Sequence, residues 1–81
     1  MEDSILEVIE NLSMLEKDSA IPKNVKIKVK TAMDILNNEE KHISLRIDQS
    51  LETLSDICED PNLLPYIKMQ LWSIVSQLES K

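Results

Sequence analysis

The chain has no glycine and no phenylalanine, and its 81 residues include only one cysteine, one histidine, one tryptophan and one tyrosine. Each shortage removes a class of chemistry. Dinucleotide fingerprints, P-loops and nucleophile elbows need glycine where backbone approaches a phosphate or takes positive φ, so none of these is present. The single Cys58 cannot form an internal disulfide, and the single His42 cannot anchor a structural zinc with so little sulfur nearby. No cofactor is expected. No run approaches the ~20 apolar residues that span a bilayer. The acidic start Met1-Glu2-Asp3-Ser4 lacks the basic region of a signal peptide. An unpaired thiol suits a reducing compartment, so the expectation is a cytoplasmic protein with no membrane contact.

What is present is acid, lysine and periodic apolar residues. Fifteen acids against nine bases give a formal charge of −6, which repels phosphate backbones and disfavours general nucleic-acid binding. At 42% hydrophobic the chain lies well above the disordered class. Its length allows one domain, 1–81.

Displaced by 42 positions, the chain partly matches itself. Ile5, Glu10, Leu12, Ser13, Asp18, Lys26 and Leu36 fall on Ile47, Glu52, Leu54, Ser55, Asp60, Lys68 and Leu78. A period of this length is one helical hairpin used twice. Ser4-Ile5-Leu6-Glu7 has the form of a capping box, and Ile5, Val8, Ile9, Leu12 and Leu15 follow at helical spacing. The first helix is therefore expected from about residue 4 to 17. Pro22 opens a second with the stripe Val25, Val29, Ala32, Met33 and Leu36, ending at Asn37-Asn38, residues able to take a left-handed cap. A third is expected from Asn38 or Glu39, with acids in its first turn and the stripe Ile43, Ile47, Leu51, Leu54 and Cys58. Pro65 opens a fourth with Ile67, Leu71, Ile74, Val75 and Leu78. The fold class that follows is all-α: a four-helix bundle of two antiparallel hairpins (about 4–37 and 39–80) with a weak, HEAT-like internal repeat.

The segments Ile21-Pro22-Lys23-Asn24-Val25 and Asp60-Pro61-Asn62, with the closing run Leu71-Trp72-Ser73-Ile74-Val75-Ser76-Gln77-Leu78-Glu79, resemble uncharacterised protein family 0147 over nearly the whole chain. The resemblance implies an archaeal, all-helical, four-helix domain with no assigned activity, and so no catalytic residues to carry over. It departs at one place. The family's second proline falls at the position of Leu64, whereas this chain has Pro65.

Four features are candidate sites. Glu39-Glu40-Lys41-His42 contains the Glu-x-x-His pair of di-iron bundles, but those sites need two such pairs, so His42 reads as a surface residue in a first helical turn. Cys58 lies on an apolar stripe beside Glu59 and Asp60, which oppose a thiolate, and reads as a structural cysteine. Lys23, Lys26 and Lys30 share one face of the second helix, suited either to RNA or to pairing with acids of the first helix such as Glu7 and Glu10. No aromatic residues interleave with these lysines, which argues against base stacking. Finally, Tyr66, Met69 and Trp72 recur at spacings of three, off the main stripe of the fourth helix. Trp and Met are enriched in buried interface centres, so these residues are the candidate partner contact. The functional expectation is a non-enzymatic helical protein–protein interaction module, self-associating or binding another protein. The alternative is an RNA- or ribosome-associated accessory protein using the basic face. An enzyme has least support, for want of a clustered acid–base pair.

Overall fold

The structure is a computed structural model that describes residues 2–80 and the side chains from Ile5 to Ser80. Four helices account for it: α1 (Glu2–Glu16), α2 (Lys23–Asn37), α3 (Ile43–Cys58) and α4 (Pro65–Glu79), with no strand among the described residues. The capping box rests on the side chain of Ser4, which lies outside the described residues.

The connections between helices are built alike. Asp18, Asn38 and Asp60 each turn a side-chain oxygen back onto the amide two residues on, at Ala20 (2.9 Å), Glu40 (3.1 Å) and Asn62 (2.9 Å). These are Asx turns, in which a short polar side chain stands in for a backbone acceptor. The amides of Ile21, Lys41 and Leu63 then bond back to the carbonyls of the same three residues, each at 3.2 Å. An extended residue follows, Pro22, His42 or Leu64, with ψ of 151°, 144° and 144°, and the next helix begins. A chain without glycine can connect its helices this way because no described residue needs positive φ.

This geometry corrects two expectations. Asn38 takes no left-handed cap: its φ is −80°, and its side chain is committed to the turn. The third helix begins at Ile43, not near Glu39, because the Asx turn occupies the residues read as an acidic first turn. The fourth begins at Pro65 as expected, with proline at N1, where its missing N–H costs nothing.

Helices α1–α2, α2–α3, α3–α4 and α4–α1 pack side by side, and the backbones of the diagonal pairs stay farther apart. Stacked hairpins would lay α1 on α3. The pairing of α1 with α4 instead closes a ring, a four-helix bundle in up-and-down order. Its core runs through Val8, Leu12 and Leu15 of α1; Val25, Val29, Ala32 and Leu36 of α2; Leu54 and Ile57 of α3; and Ile67, Leu71, Ile74 and Leu78 of α4. Ile21 and Leu63 from the two outer loops plug one end. Apart from Ile5, each buried residue has a buried counterpart 42 positions away, Val8 with Ser50 and Leu36 with Leu78 among them.

In α3 the deepest line is Ser50, Leu54 and Ile57, while Ile43, Ile47, Leu51 and Cys58 are only partly buried. The helix is thus rotated from the stripe its apolar residues suggest. Ser50 is tolerated at zero exposure because its hydroxyl donates to the carbonyl of Arg46 one turn earlier. Arg46 reaches back to α2, its Nη1 donating to the Leu36 carbonyl (3.1 Å) and its Nε to that of Lys41 (3.0 Å). It thereby satisfies one of the carbonyls that the end of α2 leaves unpaired.

Candidate interaction surface

Charge is unevenly spread over the helices. Each of α1 and α2 carries five charged residues and α3 carries four, whereas α4 has only Lys68 and Glu79. With Ile67, Leu71, Ile74 and Leu78 turned to the core, the opposite side of α4 presents Tyr66, Met69 and Trp72. They stand in the open: Met69 is 67% exposed, Trp72 57% and Tyr66 47%. Steps of three residues rotate by about 60° each, so the row crosses the outer face obliquely from the α1 side to the α3 side. Tyr66 anchors one end, its hydroxyl donating to Asp18 Oδ2 at 3.1 Å. Some loss of hydration and the hydrogen-bonded Asp18 carboxylate both push the phenol above its ordinary pKa. At the other end the Trp72 indole lies beside the Cys58 thiol.

The Asp18–Tyr66 contact has a counterpart at the 42-residue offset, where Asn24 Nδ2 donates to Asp60 Oδ2 at 3.3 Å. Each outer loop is thus tied by its aspartate to the first turn of a helix in the other hairpin. Sequence reasoning matched Asp18 with Asp60 but missed this bond, because the bond requires α1 to close on α4.

Two open grooves also correspond. One of about 440 Å³ runs between α1 and α4, lined by Asn11, Met14, Leu15, Asp18, Gln70, Ser73 and Ile74. The other, of about 430 Å³, runs between α2 and α3, lined by Lys28, Thr31, Glu52, Thr53 and Asp56. Lys28 and Asp56 form an ion pair at 3.2 Å across the second groove. At the matching positions of the first stand Gln70 and Met14, the latter 71% exposed. The side chain of Asn11 bonds Gln77 at 3.3 Å along the same seam. The α1–α4 groove is therefore mostly polar and apolar, with Asp18 its charged lining residue, where the α2–α3 side carries an ion pair.

The remaining candidates fall elsewhere. Lys23 and Lys30 are exposed on α2 and Lys26 is half-buried. Among the described residues the ion pair of α2 is made by Lys28 with α3, and none joins these lysines to Glu7 or Glu10. His42 is exposed, but it caps α3 instead of lying in its first turn, Nδ1 accepting from the Ser44 amide at 3.3 Å. With α3 starting at Ile43, Glu39 and His42 share no helical face, and no cluster of metal-binding side chains forms among the described residues. Cys58 is half-buried against the core. Desolvation pushes its thiol up; the Lys68 ammonium and the Trp72 indole pull partly the other way. No helix is long and apolar enough to cross a membrane.

Taken together these features define a small, closed four-helix domain with one apolar-rich outer face of low charge. A model of the uncharacterised protein family UPF0147 matches residues 1–80, and the chain belongs to that family. It is 38% identical to the UPF0147 protein of Methanosarcina mazei over 76 residues, covering 94% of this chain and 82% of that one. It is 29% identical to the UPF0147 protein of Pyrococcus furiosus, covering 98% of this chain and 86% of the relative. The crystal structure of MMP1188, a protein of unknown function, superposes with a TM-score of 0.95 at 31% identity, covering 99% of this chain and 91% of that one.

Proposed function

We propose that the protein is a non-enzymatic, cytoplasmic interaction module that binds another folded protein surface through the outer face of α4. One observation carries the reading: Met69 and Trp72 stay 67% and 57% exposed although the bundle has closed around its own core. A monomer gains nothing by holding its one tryptophan in water, whereas interface centres are enriched in Trp and Met and depleted of charge. The low charge of α4 fits this pattern, and the acidic remainder keeps such a surface soluble.

Wild-type, Trp72→Ala and Met69→Glu proteins immobilised as baits in cytosol from the same organism test the proposal. Loss of a captured protein with both variants, at unchanged helix content, is the expected result. Truncating a central tryptophan costs on the order of 2 kcal/mol, about a 30-fold loss of affinity. Capture insensitive to both variants would dismiss the α4 face as the site.

A second reading, RNA contact through Lys23, Lys26 and Lys30, draws on the absence of ion pairs from these lysines among the described residues. It calls for salt-sensitive binding abolished by charge reversal at Lys26 and Lys30.

A further inference from the structure

The row on α4 has an internal symmetry. Read in either direction it is aromatic, methionine, aromatic: Tyr66, Met69 and Trp72, each three residues from the next. A two-fold axis lying in the surface at Met69 and perpendicular to the row superimposes the row on its own reverse. It places Met69 against Met69 and sets each Tyr66 opposite a Trp72. Thioether–aromatic and aromatic–aromatic contacts are both favourable, so the pattern is complementary to itself. We propose that the α4 face is closed by a second copy of this chain, with Met69 at the two-fold axis and Tyr66 facing the other copy's Trp72. This rests on the reading of α4 as the interaction face and names its occupant.

Charge supports the choice of occupant. In a two-fold contact the same patch meets itself, so any charge near the axis faces its own kind. Exposed Lys23 and Lys30 on α2, Glu7 and Glu10 on α1, and Asp48, Glu52 and Asp56 on α3 would each impose that repulsion. The outer row of α4 imposes none near Met69. The α1–α4 groove extends this surface through the uncharged Gln70 and Ser73 to Met14, with its one carboxylate, Asp18, already bonded to Tyr66, while its counterpart between α2 and α3 holds the Lys28–Asp56 pair. Area sets the strength. The three side chains expose roughly 400 Å² per copy, judged from the size of aromatic side chains, so with flanking contacts the interface falls at the lower end of specific ones. The row follows an i±3 ridge, so the two α4 helices cross steeply, which limits the area further. A reversible monomer–dimer equilibrium follows, not an obligate dimer.

Sedimentation equilibrium from micromolar to near-millimolar protein tests this together with the emission of Trp72, the lone tryptophan. The dimer fraction should rise with concentration while the emission shifts to shorter wavelength. Added salt should strengthen the dimer slightly, since it screens the repulsion between two chains of charge −6. Trp72→Ala should weaken the dimer at least tenfold, and Met69→Glu, which places two carboxylates at the axis, should abolish it.

Register is tested by covalent trapping. In a Cys58→Ser background, Met69→Cys treated with oxidised glutathione should form a disulfide-linked dimer far faster than Glu10→Cys on α1. A wild-type protein monomeric at every concentration, or equal trapping rates at 69 and 10, would overturn the second copy as occupant. If the monomer still captures a protein in a Trp72-dependent manner, the interaction-face reading stands alone. If it does not, both fall.

Discussion

Replacing Arg46 should destabilise the bundle measurably although the residue is only half-buried. Its guanidinium makes two bonds to carbonyls of a preceding segment, Nη1 to Leu36 and Nε to Lys41. The first lies in the last turn of α2, where no basic residue of α2 itself complements the negative end of the helix. A hydrogen bond from a charged donor is worth about 1.5–3 kcal/mol. Both bonds here are partly open to water, so their joint contribution is placed within the range for a single charged one, at about 2 kcal/mol. For a domain of 81 residues, 1 kcal/mol moves the midpoint of thermal unfolding by about 4–8 °C. Arg46→Ala is therefore expected to lower Tm by roughly 10 °C.

Two controls separate the causes. Arg46→Met keeps most of the aliphatic stem, so a loss matching that of alanine assigns the effect to the hydrogen bonds. Raising the salt screens the general consequence of making an acidic chain more negative, while the loss of two direct bonds persists. Arg46→Lys, a single point donor, should recover only part of the stability. A Tm for Arg46→Ala within about 3 °C of wild type would refute the assignment of Arg46 as the cap of α2.

Leu54 is fully buried, so Leu54→Ala should cost about 2–5 kcal/mol in urea unfolding and leave little margin at 37 °C. Asp18→Ala and Asp60→Ala should each cost about 1 kcal/mol, since each removes an Asx turn and a bond to the other hairpin; effects of unequal size would argue against equivalent roles. The Cys58 thiol is pushed up, so the folded state holds its proton more tightly than the unfolded chain does. Stability should therefore fall as pH rises from the ordinary thiol pKa through the raised one, and Cys58→Ala should remove that part of the pH dependence in denaturation followed by circular dichroism. For the same reason modification of Cys58 by a thiol reagent at neutral pH should be slower than that of a free cysteine. Trp72→Ala should leave the unfolding free energy of the monomer within about 1 kcal/mol of wild type, because the side chain is mostly exposed.

The apolar stripes of α1, α2 and α4 were legible in the sequence because each lies on a single face with polar neighbours on the other. The stripe of α3 was misread by a fraction of a turn. Its deepest position is Ser50, and no hydropathy pattern marks a serine as core when the reason is a hydroxyl satisfied by the carbonyl one turn earlier. The start of α3 was misplaced for a related reason. Glu39 and Glu40 are what a first helical turn favours, yet Asn38 committed its side chain to a turn that delays the helix to Ile43. The signal was present in the five-residue spacing from each of Asp18, Asn38 and Asp60 to a helix start, but it emerges only when all three connections are compared. Bonds between the hairpins, such as Tyr66 to Asp18, depend on α1 closing against α4 and have no local signature.

The correspondence between the halves also works as an internal control on the candidate site. At most positions needed for the fold the two hairpins agree in character, Leu12 with Leu54, Leu15 with Ile57, Val29 with Leu71 and Asp18 with Asp60, the buried pair Val8 and Ser50 being the exception. At exposed positions, disagreement marks side chains that packing leaves free. On the outer surface Asn24, Lys28 and Lys30 of α2 correspond to Tyr66, Gln70 and Trp72 of α4, exposed Ile27 corresponds to exposed Met69, and Asp56 on α3 stands where α1 has Met14. An exposed helix face drifting without constraint would exchange charged residues for other polar ones, because exposed apolar area gains nothing in the monomer and favours aggregation. Here lysine is replaced by tryptophan and aspartate by methionine, on adjoining helices and around one groove. Substitutions of that kind in one half of a corresponding pair are explained by contact with another surface, and the bundle's own packing does not require them.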